Sequence, residues 1–182
     1  MAPPLITVGH GTLSREELGA LLRGAGIEQL VDVRRFPGSR TNDAAARGAV
    51  EEICSEVAIA YRWDERLGGR RRLTKDEDAA SPDTWWRVAQ FRAYAGWTRS
   101  EDFRAGIGGL LADVSARRTA VMCSEAVWWR CHRRLIADVV LMEHDTAVMD
   151  LMPSGQLKPH EPSAGARRGE DGHVVWDLAD EG

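Results

Sequence analysis

The sequence predicts a single α/β domain, built on a mainly parallel sheet of about five strands with helices on both faces. Short apolar runs alternate with segments of helical periodicity, which is the order expected of parallel strands joined by helices. At least one of these runs is continuous enough for a central strand buried on both faces. With 182 residues, 43% of them hydrophobic, the chain can bury one sizeable core.

The N-terminal part predicts a strand, a glycine-rich turn and a helix. Residues 5–8 form the apolar run, and Gly9, His10 and Gly11 make the turn. Ser14 stands three residues before Glu17, which is the capping-box pattern of a helix start. Such a turn offers backbone N–H groups to an anion, with His10 beside them. The alternative is that His10 makes only a structural hydrogen bond.

The second predicted strand, residues 27–33, ends in charged residues. Asp32 needs a partner at the end of a buried strand, and Arg34 lies on the same face two residues later. Pro37 then ends the strand and begins a loop. Two interpretations stay open: a buried structural ion pair, or a binding site at the carboxyl edge, where open α/β sheets hold their ligands.

The middle of the chain predicts a helix over residues 42–56 and a strand over 58–63. Cys54 falls on the apolar side of that helix and is expected in the core. A basic loop follows, hinged at Gly68 and Gly69 and continuing through Arg70 and its neighbours. Such a loop is either a solvated surface or a segment that closes over an anionic ligand.

Residues 75–84 are polar and are expected to form a mobile excursion. The aromatic residues between 85 and 97 predict either a small satellite core or a platform for stacking nucleobases. A helix over 101–114 precedes the segment from residue 119, where cysteine, histidine, glutamate and arginine residues are most concentrated. There, a strand over 119–122 leads through Cys123 and SEAVWW into a helix over 130–143.

The last strand of the predicted core is residues 146–151. The core domain is therefore assigned to residues 1–152. The extension at 153–182 is rich in proline, glycine and charge, with a strand-like piece at 173–177. This extension is expected to be partly irregular and to pack on or near the edge of the site.

Three kinds of chemistry compete for the segment after residue 119. The first is a thiolate nucleophile, because Cys123 ends a strand before a loop that enters a helix, as in rhodaneses and cysteine phosphatases. The Asp32-Val33-Arg34 tripeptide also resembles one near the start of rhodanese domains. The phosphatase spacing does not fit, since Trp129 stands where the arginine is required and Arg130 comes one residue late.

The second and third kinds are a metal site and a polar pocket. Cys123, Cys131 and His132 could bind a metal together with His10, His144 or His160. However, adjacent ligands point in different directions on a helix, and the cysteine spacing is not that of a zinc knuckle. In the pocket, Glu125 or His132 would do acid–base work while arginines hold a phosphate or carboxylate.

Composition limits the classes of partner. The net charge of −4 gives no overall nucleic-acid signature. With only two lysines, nearly all positive charge is guanidinium, which suits bidentate anion binding. Three cysteines do not form a disulfide framework, and they favour a reducing compartment. No signal peptide and no apolar stretch of membrane length is evident, so a cytoplasmic protein without a membrane partner is expected.

Five sequence blocks resemble the domain-of-unknown-function 488 family. They are TVGHGT at 7–12, LVDVRRFPGSR at 30–40, LGGRRR at 67–72, WWRVAQFRAYA at 85–95 and MCSEAVWWRCHRRLIAD at 122–138. The blocks stand in the expected order, and the resemblance extends over at least residues 7–160. Gly11 departs from the serine that is usual in its turn. The resemblance implies a small bacterial-type α/β protein and supplies no reaction.

The resemblance further implies that the matching positions belong to one shared constellation. These positions are His10, Asp32, Arg34, Pro37, Ser39, Gly68, Gly69, Cys123, Glu125, Cys131, His132 and Arg133. A parallel sheet would gather them at its carboxyl edge.

The leading hypothesis is an enzyme, a hydrolase or transferase, acting on an anionic, nucleotide-like substrate. The expected catalytic residues are Cys123, Glu125, His132 and His10. The expected substrate-binding residues are Asp32, Arg34, Ser39, Arg70, Trp129, Arg130 and Arg133. The residues with expected structural roles are Pro37, Gly68, Gly69, Cys54 and Cys131.

Two other hypotheses are a non-catalytic nucleic-acid-binding module, using the arginine loop and the tryptophans, and a metal- or ligand-sensing protein. No cofactor and no bound metal are predicted.

Overall fold

The chain folds into alternating strands and helices in a computed structural model that describes residues 2–179. The strands in this range are β1 (Leu5–Gly9), β2 (Gln29–Asp32), β3 (Ala60–Trp63), β4 (Thr119–Cys123), β5 (Val148–Leu151), β6 (Leu157–Pro159), β7 (Ala166–Arg168) and β8 (Val174–Trp176). The α-helices are α1 (Arg15–Gly24), α2 (Ala49–Glu56), α3 (Lys75–Ala79), α4 (Ala89–Trp97), α5 (Glu101–Ala116) and α6 (Arg133–His144).

The main sheet has the strand order β3-β2-β4-β1-β5-β6. The first five strands in this order are parallel, and β6 joins β5 antiparallel. Strands β7 and β8 form a separate antiparallel pair. The predicted α/β class with a mainly parallel sheet is therefore confirmed. None of the helices within residues 2–179 is both long and apolar enough to cross a membrane.

Helices cover both faces of the sheet because the connections run in two directions. The chain moves toward one edge from β1 to β3 and back toward the other from β3 to β5. Right-handed crossovers then place α1 and α2 on one face and α5 and α6 on the other. The alternation along β4 follows: Ala120 and Met122 join the core under α1 and α2, whereas Val121 and Cys123 join the core under α4 to α6.

Three predicted segments differ in detail. The helix predicted from residue 42 becomes a 3-10 turn at Asp43–Ala45, and α2 begins only after Gly48, whose φ is 82°. The helix predicted from residue 130 begins at Arg133, because a 3-10 turn at Trp128–Arg130 precedes it. Part of the expected mobile excursion is helix α3, which begins at Thr74 with a capping box.

The C-terminal segment is anchored to the core by a buried polar network. Trp176 is fully buried and donates its indole N–H to Asp138 of α6 at 2.9 Å. His160 lies between two carboxylates, 2.9 Å from Asp138 and 2.8 Å from Asp150. Thr7 of β1 donates to the second oxygen of Asp150. Although burial alone lowers the pKa of His160, the two carboxylates raise it to about 9.

Candidate functional site

The candidate site lies at the carboxyl ends of the three central strands. In the register of the sheet, Gly9 pairs with Cys123, and Asp32 pairs with Met122. The chain leaves β4 toward one face and leaves its neighbours β1 and β2 toward the other, which opens a crevice at this edge. A cavity of about 250 Å³ opens there.

One wall of the cavity rests on the ion pair that Asp32 and Arg34 form. The Arg34 guanidinium donates to both Asp32 oxygens, at 2.6 Å from Nη2 and 2.9 Å from Nε, and its Nη1 donates to the Ala45 carbonyl. Tyr61 donates its hydroxyl to the same carboxylate at 2.7 Å. Both charged side chains are buried, so this pair is a structural support, and Arg34 also lines the cavity.

The segment after β4 crosses over the end of β1. The Cys123 carbonyl accepts the His10 amide at 3.0 Å, and the Ser124 carbonyl accepts the Gly11 amide at 2.9 Å. A β-carbon at Gly9 would overlap the Glu125 carbonyl oxygen, so only glycine permits this crossing. The sequence showed these glycines as parts of a turn, without the second segment that packs on them.

A single arginine holds the crossing segment against the sheet. The Arg133 guanidinium donates to the carbonyl oxygens of Glu125 and Ala126, and its Nη1 lies 2.8 Å from the Cys123 sulfur. The Arg133 side chain is almost wholly buried, and this burial lowers its pKa to about 10. The guanidinium therefore stays charged at neutral pH. The predicted substrate-binding role of Arg133 stays a prediction, and the structure directs its guanidinium inward to Cys123.

The two cysteines of the segment are paired. The structure joins the sulfur atoms of Cys123 and Cys131 in a disulfide, whereas the cysteine count had favoured reduced thiols. Cys123 can act as a nucleophile only when this bond is reduced. Cys54 is free and lies buried in the opposite core, where burial raises its thiol pKa to about 12.

His132 faces the cysteine pair from the start of α6. Its Nε2 lies 2.8 Å from the Val33 carbonyl, which fixes Nε2 as the protonated nitrogen. Its Nδ1 is 3.5 Å from the Cys131 sulfur. Burial lowers the pKa of His132 to about 4, so the ring is neutral at neutral pH. Its free nitrogen is thus a base directed at Cys131.

His10 lies near the same strand ends but does not line the cavity. Its Nδ1 contacts the Gly11 carbonyl at 3.0 Å, and its Nε2 is buried without a hydrogen-bond partner among the described residues. Burial lowers its pKa, so this histidine is also neutral. The predicted catalytic role of His10 remains a prediction.

The rim of the cavity is cationic. Arg130 is exposed, and so is Arg70, whose backbone takes a left-handed φ of 57°. Arg35 also lines the cavity, and its guanidinium donates to the Arg70 carbonyl. Glu125, which is exposed, is the one acidic side chain among the lining residues.

The structure gathers part of the predicted constellation at this cavity. The predicted residues that line it are Arg34, Gly69, Arg70, Cys123, Glu125, Arg130, Cys131 and His132. Those that do not line it are His10, Asp32, Pro37, Ser39, Cys54, Gly68, Trp129 and Arg133. Asp32 fixes the Arg34 side chain, which does line the cavity, and Arg133 fixes the segment that carries Glu125. The Ser39 hydroxyl accepts hydrogen bonds from the backbone amides of residues 41 and 42.

Sequence reasoning missed several lining residues. They are Arg35, Phe36, Gly38, Gln90, Phe91, Tyr94 and Ser124. Gln90, Phe91 and Tyr94 come from α4 or its start, and the block WWRVAQFRAYA was their only signal. Tyr94 packs edge-on against His132 and donates its hydroxyl to the Leu67 carbonyl, so it joins α4 to the arginine loop.

The tryptophans have different surroundings. Trp86 packs against Trp176 in the core, which agrees with a satellite core rather than a stacking platform. Trp128 is half-buried against His160, whereas Trp129 is 45% exposed. Within residues 2–179, no group of three or more His, Cys, Asp or Glu side chains is arranged to hold a metal ion.

Comparisons with known proteins give one match. The family model described as Domain of unknown function DUF488 matches residues 14–140. No curated protein and no solved structure matches the chain. Because the family model spans well over half of the sequence, the chain belongs to the DUF488 family.

Proposed function

We propose that this protein is a hydrolase or transferase that acts on an anionic substrate through a covalent intermediate on Cys123. The observation that carries the proposal is the 2.8 Å contact between the buried Arg133 guanidinium and the Cys123 sulfur, at the base of a cavity with a cationic rim.

The guanidinium gives Cys123 the surroundings of a nucleophile. A positive charge next to a thiol favours the thiolate, which is the reactive form. Arg133 keeps its charge at neutral pH, and two backbone carbonyls fix the position of its guanidinium. The guanidinium therefore needs little rearrangement to stabilise negative charge that develops on the Cys123 sulfur. Cys54 has no such partner, and its raised pKa keeps it a thiol.

The rim supplies the anion-binding groups. Arg70 and Arg130 are exposed at the cavity, and neither side chain makes a hydrogen bond or ion pair within residues 2–179. Guanidinium groups bind phosphate and carboxylate through two parallel hydrogen bonds, which fixes the orientation of the ligand as well as attracting it. A substrate held this way would present its electrophilic atom to Cys123.

The proposed reaction has two steps. Before these steps, a dithiol reductant reduces the Cys123–Cys131 disulfide and is itself oxidised to a disulfide. The Cys123 thiolate then forms a bond to an electrophilic carbon or phosphorus atom, and the leaving group departs with the electron pair of the broken bond. A water molecule or an acceptor hydroxyl then attacks the same atom, and the thiolate leaves unchanged. Glu125 is exposed at the cavity and is assigned as the acceptor of the proton that this nucleophile loses.

The proposal is tested by comparing two alkylating reagents of similar size. Iodoacetate carries a carboxylate and iodoacetamide does not. The Cys54→Ser/Cys131→Ser double variant leaves Cys123 as the only thiol. We expect its ratio of iodoacetate to iodoacetamide rates to exceed that of a free model thiol by about 10- to 150-fold, the effect of a charge-assisted hydrogen bond of about 1.5–3 kcal/mol. Mass spectrometry gives both rates.

Two further variants assign the effect. Arg130→Gln should lower the iodoacetate rate and leave the iodoacetamide rate unchanged, because it removes only the anion contact. Arg133→Lys should lower both rates while retaining the charge. A rate ratio equal to that of the model thiol, in protein whose circular dichroism shows a native fold, contradicts the proposal.

A further inference from the structure

A second hollow continues from the cavity along the arginine loop. It has a volume of about 890 Å³, and it shares Arg35, Phe36, Arg70 and Gln90 with the cavity. We call this hollow the arginine groove. Its lining adds Arg71, Arg72 and Trp97 and includes no aspartate or glutamate. The protein as a whole carries a charge of −4, so a lining with four arginines and no acidic residue differs in sign from the average of the chain.

The arginines of the groove fall into two kinds. Arg71 is buried, donates to the Gly68 carbonyl at 3.0 Å and stacks 3.9 Å above the Trp97 ring. Arg35 donates to the Arg70 carbonyl and lies 3.7 Å from Glu65. These two residues hold the loop in place.

The other arginines are free to bind a ligand. Arg70 and Arg72 are exposed in the groove, and Arg130 is exposed at the adjoining cavity. None of the three side chains meets an acceptor among the described residues. Arg70 and Arg72 on the loop, together with Arg130 at the cavity, therefore form a row of guanidinium groups whose hydrogen-bond donors have no partner within residues 2–179.

An exposed aromatic ring lies where the groove meets the cavity. Phe36 is 64% exposed, the highest value among the large hydrophobic residues of the described chain that are exposed, and it lines both hollows. A phenylalanine so exposed gains little from folding. Beside a cationic groove, its face suits the stacking of a planar ring such as a nucleobase.

We propose that the arginine groove binds the backbone of a single-stranded nucleic acid and directs one nucleotide into the Cys123 cavity. This inference rests on the proposed function, and it names the substrate class of the same site. Repeated phosphates match the row of guanidinium groups, and an unpaired base can stack on Phe36. The bases of a duplex are paired and stacked, so placing one of them in the Cys123 cavity would first cost the energy of unpairing it.

The test measures binding of a fluorescent twelve-residue oligothymidylate by anisotropy between 50 and 300 mM salt. Each phosphate contact with a single strand contributes about 0.7 to the slope of log affinity against log salt. The Arg70→Asn/Arg72→Gln variant should therefore lower that slope by about 1.4 and weaken binding at least 10-fold at low salt. Asparagine is chosen at residue 70 because it tolerates the left-handed backbone.

Matched variants isolate the groove and the ring. Arg23→Gln removes one positive charge, against two in the groove variant, from an exposed position in the last turn of α1, which is not among the groove residues, and should change affinity less than 2-fold. Phe36→Ala should weaken binding with no change in salt slope, since stacking involves no counterion release. A thermal unfolding curve for each variant confirms that it is folded.

Several outcomes overturn the inference. They are no salt-dependent binding at 50 mM salt, equal affinity for a duplex of the same length, equal competition by inorganic polyphosphate, and equal losses in Arg23→Gln and the groove variant. Oligonucleotide binding by the Cys54→Ser/Cys131→Ser variant, measured beside its alkylation rates, separates the two proposals. An intact iodoacetate preference without oligonucleotide binding refutes the groove inference and leaves the proposed function standing. Oligonucleotide binding without that preference refutes the thiol chemistry instead.

Discussion

Two histidines that contact helix α6 are held in opposite protonation states. His160 is surrounded by the carboxylates of Asp138 and Asp150, and its pKa is raised to about 9. His132 has backbone groups of Val33 and Leu67 and a sulfur atom as neighbours, and burial lowers its pKa to about 4. His160, which is buried, is a cation at neutral pH, whereas His132, which is half-buried at the cavity, is a base.

The difference shows how partners decide what a histidine does. Where both ring nitrogens meet carboxylates, the charge is satisfied and the ring becomes a structural joint between α6, β5 and the segment after β6. Where one nitrogen faces a sulfur atom of the cysteine pair, the neutral ring keeps a lone pair for chemistry. Helix α6 thus contacts a closed, fully hydrogen-bonded polar network at His160 and the candidate site at His132.

The largest effect is expected from breaking the closed network. Asp138 accepts hydrogen bonds from His160, Trp176 and the Ser163 amide. Asp138→Ala leaves a buried imidazolium with one carboxylate and should lower the free energy of unfolding by about 3–5 kcal/mol, measured by urea denaturation. Arg15→Gln, which removes an exposed ion pair on α1, should have no measurable effect. Equal losses in the two variants would refute the assigned role of the network.

The next effect is on the pH dependence of stability. The raised pKa of His160 contributes stability that is fully present below pH 6.5 and is lost as the pH rises toward about 9. The lowered pKa of His132 contributes stability that is present above pH 6.5 and is lost as the pH falls toward about 4. Each of these two pKa shifts corresponds to a free energy on the order of 3 kcal/mol.

Urea denaturation between pH 4.5 and 9 separates the two contributions. His160→Gln should flatten the alkaline side of the stability curve, and His132→Gln should flatten the acid side. An overall loss of stability with unchanged slopes in both variants would contradict the assignment. Glutamine is used at residue 132 because its amide can still donate to the Val33 carbonyl.

The smallest effect concerns the glycine against which His132 packs. A β-carbon at Gly69 would lie 2.8 Å from His132 Nδ1, so Gly69→Ala should destabilise the fold by about 1–3 kcal/mol. The matched control is Gly108→Ala in α5, where a β-carbon meets nothing within 4 Å. That change should stabilise the protein by about 1 kcal/mol through helix propensity. If both substitutions act in the same direction, the packing explanation for Gly69 is wrong.

Much of the fold could be predicted because its signals are local. The buried strands β1, β2 and β4 are apolar runs, and Ser14 with Glu17 marks the start of α1. The segments that differed depend on contacts made elsewhere. The strand-like piece predicted at 173–177 contains β8, whereas its three-residue partner β7 had no local signal and pairs with β8 beside α6.

The position of the site could be predicted, but the roles of its individual residues could be predicted less well. Strand ends placed Cys123, Glu125 and His132 at one edge of the sheet. Spacing could not show that Arg133 turns inward, since the direction of a side chain at a helix start depends on the segment that crosses β1. Nor could it show that Asp32 belongs to a three-residue cluster with Arg34 and Tyr61.

The central place of β4 has a consequence for how the molecule forms. Strands β1 and β2 are not neighbours, and the gap between them is filled by a strand that begins only at residue 119. During synthesis, the edges of β1 and β2 that later pair with β4 therefore stay unpaired until β4 has been synthesised. Cys123 is carried by that strand, so the thiol reaches its arginine only when the sheet closes. Non-local pairing of this kind makes folding slow, and it makes assembly of the site one of the last events in folding.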